Sequence, residues 1–192
     1  VKAPTSAITP LPPAYALGGL NEPLLVQQIP GVPTPIPTSV TVNGVTYPVA
    51  RVRTLTLNEG FDDYGRLAQF LGTDTQIVGT TPGFFGHRYM DPVTENVAAG
   101  SVEVWQIANL SADTHPIHFH LVNVQILYRQ AVKIKGFVGT FTLIPQNVPF
   151  APDANELGYK ETVRMNPGEV TTVIMKFDLP DPVSLPFATP PS

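Results

Sequence analysis

The sequence predicts an all-β domain built as an antiparallel β-sandwich, and three observations carry that prediction. β-Branched and aromatic residues alternate with polar ones, as in "TSVTVNGVTYPVARVRTLTLNE", and a period of two places one side of a strand in a core. Turn signals such as Asn43-Gly44 and Asn166-Pro167-Gly168 separate these runs. No long stretch shows a 3.6-residue apolar period with helix caps. At 192 residues the chain is long enough for one core and too short for a multi-domain enzyme.

Proline marks the two ends. Of 22 prolines, nine fall in residues 1–37 and five in residues 180–191. Proline lacks the N–H that a helix or central strand needs, so residues 1–38 are expected to form an extended Pro-rich arm. Residues 181–192 read as a Pro-rich tail, which leaves 39–180 for the β-domain. Both ends keep apolar residues and little charge, which favours packing on a surface over free solvation. Within the domain, the Asn43-Gly44 hairpin comes first, and "DDYGRLAQFLG" is expected to be at most a short helix or turn. "GSVEVWQIANL" and "GEVTTVIMKFDL" are further strands, each opened by glycine. Trp105 and Phe119 read as core or interface residues rather than electron relays, and Glu103 as a charge facing solvent.

Charge excludes several partners. The formal net charge is −4 and the eleven Lys and Arg are scattered, so no basic patch exists for nucleic acid or an anionic membrane. No apolar run approaches a membrane span, and the first residues lack the pattern of a signal peptide. With no cysteine, neither a disulfide nor a thiolate ligand can form within this chain.

The strongest chemical signal is "THPIHFHLVNVQIL", which holds His115, His118 and His120, three of the chain's four histidines. Pro116 bars a strand interior, so His115 is expected at the mouth of a strand that begins near Ile117. His118 and His120 then share a face with Val122, Val124 and Ile126, about 7 Å apart, while His115 points elsewhere. Two imidazoles at that spacing suit one metal ion or two neighbouring ions, and the third suggests a second site. Copper, zinc, iron and nickel all accept imidazole, and zinc hydrolases and cupin oxygenases also use such strands, so spacing leaves the metal and reaction open. Asp113 is either a partner that orients an imidazole or a turn residue. His87, in the loop-like "GFFGHRYMDP", reads as a surface histidine.

"THPIHFHLVNVQIL" resembles the first histidine cluster of the C-terminal, third cupredoxin domain in multicopper oxidases, particularly the bacterial branch with phenoxazinone synthase and spore-coat laccases. "RTLTLNEGFDDYGRLAQFLGT", "YMDPVTENVAAGSVEVWQIANL" and "NELGYKETVRMNPGEVTTVIMKFDLP" extend the likeness over residues 51–180. The resemblance implies a cupredoxin-like Greek-key sandwich in a copper-dependent oxidoreductase, coupling one-electron oxidation of phenolic, aminophenolic or metal-ion substrates to reduction of O2 to water. It implies that His115 ligates the mononuclear type 1 copper, His118 the type 2 copper and His120 one of the type 3 pair.

The family's second cluster, His-Cys-His followed by His and Met, has no counterpart in these 192 residues. Residues 1–38 then read as an interdomain arm and 181–192 as a tail leading to that segment. The expected partners are the remaining cupredoxin segments of the same oxidase, O2 and a small aromatic reductant, with no activity from this chain alone. A periplasmic, cell-surface or secreted location follows from the same likeness. Two other readings stand beside it: a stand-alone cupredoxin-like module holding one metal without turnover, and a structural β-domain with empty histidines.

Overall fold

The computed structural model describes residues 23–178. The expectations for residues 1–22 and 179–192 lie outside the described residues. Strands β1 (Ser39–Val42) and β2 (Val45–Phe61) form the expected hairpin. Asn43 and Gly44 have φ of 50° and 79°, the left-handed pair that a two-residue turn requires.

The stretch expected to be a short helix or turn is a turn followed by a strand, β3 (Leu67–Thr73), which pairs back along the end of β2. Asp62 makes the reversal: its Oδ1 accepts hydrogen bonds from the Tyr64 and Arg66 amides, each at 2.9 Å. An Asx-type turn of this kind competes with helix, and seven cross-strand pairs then outweigh the helical propensity of Leu and Ala.

The centre of the domain is β4 (Val102–Asn109), β10 (Glu169–Lys176) and β6 (Val124–Lys135). β7 (Thr142–Pro145) and β8 (Tyr159–Lys160) pair with β6, and β5 (His115–His118) pairs with β9 (Thr162–Met165) in a separate two-stranded sheet. The order β1-β2-β4-β10-β6-β7 places strands distant in sequence side by side, the crossover connectivity of a Greek key. Most pairs are antiparallel, as expected; β2 and β4 run parallel.

Both faces of this sheet are covered. Val102, Val104, Leu127 and Ile174 pack with Leu25 and Val40 on one face; Ile107, Ile126, Val173 and Met175 pack with Leu57, Phe119, Val163 and Met165 on the other. Fully burying one such side chain contributes about 1.5–3 kcal/mol. Two irregularities reconcile the alternation with this double coverage. The pairing shifts between Val49 and Arg51, so that Val49 contributes to the first core while Leu55 and Leu57 serve the second. A bulge in β6 opposite Thr172 and Val173 lets Leu127 and Tyr128 both face the first core.

Residues 23–36 contain no strand and run against the first core. Their backbone is held by a buried side chain: Gln125 Oε1 accepts from Leu25 N at 2.7 Å and Val26 N at 3.1 Å, and Gln125 Nε2 donates to Val26 O at 3.0 Å.

Glu103 corrects the sequence reading. It is buried in β4, where Oε2 accepts from Arg53 Nε at 2.6 Å and Trp105 Nε1 at 2.9 Å, and Oε1 from Arg53 Nη2 at 2.8 Å. Alternation in a strand signals solvent only when one face of the sheet is open, and here neither is.

Candidate metal centre

The histidine stretch leaves β4 at Asn109, crosses a short loop and enters β5. Pro116 lies inside this strand rather than before it, opposite Arg164. Among the described residues β5 has β9 as its one ladder partner, so its outer edge needs no N–H donor there and proline is tolerated.

From Ile117 the alternation runs as expected through His120 and then breaks. Ile117 and Phe119 pack into the second core, while His118 and His120 are exposed. β5 ends at His118, and Leu121 takes φ of 71° before β6 begins at Val124. That left-handed residue, unusual for leucine, resets the parity. Val122, Val124 and Ile126 therefore enter the core instead of sharing the histidine face.

The three histidines separate into a pair and a single residue. The His118 and His120 rings meet nearly edge to face, with centroids 4.9 Å apart and an interplanar angle of 73°. His118 Nδ1 lies 3.1 Å from Thr162 Oγ1 on β9, which occupies that nitrogen and leaves Nε2 available. His115 turns to the other side, where its Nε2 lies 2.7 Å from Ser111 Oγ and 3.3 Å from Glu59 Oε1. Its side chain is 16% exposed. Among the described residues, no three His, Cys, Asp or Glu side chains converge closely enough to hold a metal ion together. Two adjacent imidazoles and a third with one occupied nitrogen fit copper in donor type, and fit it as part of a ligand set rather than as a whole one.

A cavity of about 740 Å³ opens beside the pair, lined by His118 and His120, by Trp105, Phe119 and Phe177, and by His87. His87 is thus partly buried rather than freely exposed: its side chain is 21% exposed and its buried Nε2 has no hydrogen-bond partner among the described residues. The close contact of the 84–87 loop with β3 puts it there, since Gly72 and Gly86 form a bridge that no turn signal announces. Phe119 is a core residue and the half-buried Trp105 packs against that core, with ring centroids 6.5 Å apart. Asp113 acts through its backbone, its carbonyl accepting from Asn109 Nδ2 at 2.8 Å.

Two carboxylates near this region are perturbed. Burial alone would raise the Glu103 carboxyl, but hydrogen bonds from Arg53 and Trp105 with the charges of Arg53 and Arg51 hold it below the usual range. Glu156, in the 3-10 turn Ala154–Glu156, behaves likewise. Burial raises it, and the hydrogen bonds from Arg129 and the Asp153 amide with the charges of Arg129 and Arg164 outweigh that and lower it. Arg129 also donates to the Arg164 carbonyl at 3.0 Å, which ties β6 to β9 and so to the strand carrying His115 and His118.

The multicopper oxidase family profile matches residues 71–185. The chain belongs to the multicopper oxidase family. Membership identifies the sandwich as cupredoxin-like and implies copper as the metal. This oxidase chain is similar to a laccase of Bacillus stratosphericus, 38% identical over 125 residues, which are 65% of this chain and 22% of the relative. It is also similar to a laccase of Bacillus subtilis, 32% identical over 129 residues, 67% of this chain and 23% of that one. A laccase of Haloferax volcanii is 35% identical over 111 residues, 56% of this chain and 16% of that protein. The chain therefore spans less than a quarter of the length of these relatives. No helix among the described residues is long and apolar enough to cross a membrane.

Proposed function

We propose that this chain is the segment of a laccase-like oxidase that supplies one histidine cluster to two kinds of copper site. His115 serves the electron-accepting type 1 copper, His118 the type 2 copper and His120 one of the type 3 pair. The separation of His115 from the touching rings of His118 and His120 supports this reading most directly. When bound, copper would supply one-electron oxidation of a small phenolic, aminophenolic or metal-ion reductant and four-electron reduction of O2 to water. The chain's own contribution is to hold imidazoles. Thr162 fixes the His118 ring through Nδ1, β9 fixes the backbone from His115 to His118, and the Phe119 ring anchors the turn between the paired histidines in the core. Remaining ligands come from other cupredoxin segments of the same oxidase, in a periplasmic, cell-surface or secreted setting.

The test uses the complete oxidase and single alanine variants. His115→Ala is expected to abolish blue absorbance while copper at the oxygen-reducing sites remains. His118→Ala and His120→Ala are expected to keep the blue absorbance and lose O2 consumption. Loss of the same copper from His115→Ala and His118→Ala, by metal counting and absorption spectra, would overturn the assignment.

A further inference from the structure

We propose that Asn109, Ser111 and Glu59 are positioning residues that lock His115 as its Nε2–H tautomer, so that Nδ1 alone offers a lone pair to a metal. The inference rests on His115 being a ligand only for that last clause; the lock is a property of the metal-free chain.

It begins at Asn109, buried at the end of β4. Its Nδ2 faces two carbonyls, Asp113 O at 2.8 Å and Met165 O at 3.0 Å, and a carbonyl only accepts. The amide orientation is therefore determined by its partners, and Oδ1 must be the acceptor on the other side. There it takes the Ser111 N–H at 2.9 Å and lies 2.7 Å from Ser111 Oγ.

The Ser111 hydroxyl carries one proton and has three polar neighbours. Two of them, Asn109 Oδ1 at 2.7 Å and Asp113 O at 3.2 Å, are acceptors. If the hydroxyl donated to His115, its oxygen would face two bare oxygens with nothing between them. The proton goes instead to Asn109 Oδ1, and Ser111 Oγ presents a lone pair to His115 Nε2 at 2.7 Å. The second neighbour of that nitrogen is Glu59 Oε1 at 3.3 Å, buried and otherwise without a hydrogen-bond partner. A carboxylate accepts as well. Both neighbours of Nε2 require a proton on it, and a neutral imidazole has only one to give. Nδ1 is left bare, the state in which imidazole ligates metals, and a carboxylate beside the opposite N–H raises ligand basicity.

The experiment has two readouts. The first is the histidine ring tautomer in the metal-free 192-residue chain, by nitrogen–proton correlation NMR about two pH units above the ordinary imidazole value of about 6.5. His115 is expected as Nε2–H. In Ser111→Ala, and separately in Glu59→Gln, the Nδ1–H fraction is expected to rise about fivefold, the weight of one hydrogen bond. A native ring protonated on Nδ1 overturns the proposal, as does a tautomer ratio that neither variant moves. The second readout is the reduction potential of the type 1 copper in the complete oxidase. Glu59→Gln weakens the donor and is expected to shift the potential upward, favouring the reduced ion; an unchanged potential overturns the link to the metal. Blue absorbance persisting in His115→Ala would remove the ligand reading and leave the tautomer result standing.

Discussion

Among single side chains, Arg53 on β2 and Glu103 on β4 form a two-point ion pair whose side chains are 9% and 5% exposed. Removing one partner from such a pair leaves an uncompensated buried charge, whereas removing both does not. Arg53→Ala is expected to cost about 3–5 kcal/mol of stability, while the double replacement Arg53→Met with Glu103→Leu recovers much of it. Urea unfolding of the two variants checks this; a double variant as unstable as the single one would contradict it. This pair was not legible in the sequence, where Glu103 sits in an alternating run that reads as one open face. The histidines were more legible. Odd and even spacing set His115 apart from His118 and His120, and the structure places them in those two groups. What spacing could not show is Leu121 at φ of 71°, because leucine carries no preference for that conformation and tertiary packing imposes it.

At the level of elements, two close contacts hold irregular segments against the two faces of the sheet. Gln125 on β6 satisfies two amides and one carbonyl of residues 25 and 26, and is itself fully buried. Gln125→Leu would leave those backbone groups unpaired at a cost of about 1–3 kcal/mol each if they stayed buried. The expected outcome is therefore release of residues 23–28, seen as lost amide-exchange protection at Leu25 and Val26 with β4 and β10 still protected. Retained protection there would show that the apolar contacts of Leu25 suffice. On the opposite side, a Cβ on Gly72 would lie 2.0 Å from Phe85 O and 2.6 Å from Thr56 Oγ1. Gly72→Ala is expected to cost about 1–3 kcal/mol and to displace the loop that carries His87, which a fall in melting temperature and a shifted His87 ring resonance would report. The hairpin at Asn43-Gly44 and strands β4 and β10 were readable because period and turn chemistry agree there. β3 was not, since Asp62-Asp63-Tyr64-Gly65 looks equally like a helix start, and the Asp62 side chain that turns the chain back onto β2 shows only in the structure.

Across the whole molecule, the lowered carboxyls of Glu103 and Glu156 make stability depend on pH in a definite direction. Arg53–Glu103 joins β2 to β4, and Arg129–Glu156 joins β6 to the 3-10 turn and, through the Arg164 carbonyl, to β9. In the unfolded chain both carboxyls return to about 4.3, while in the folded chain both lie lower. The unfolded state therefore binds more protons as the pH falls, and stability rises with pH in that window. The contribution of each pair is complete above the unfolded value, declines as the pH drops toward the folded value and is gone below it. Denaturant unfolding measured from about pH 7 down to about pH 3 is expected to show a flat region followed by a loss of stability. Glu103→Gln and Glu156→Gln should each be less stable at neutral pH and each show a shallower acid slope, because a glutamine cannot take up the proton. The two effects should add, since the pairs share no residue. A native chain that grew more stable on acidification through about pH 4, or variants with the native slope, would mean that other carboxylates govern the acid limb.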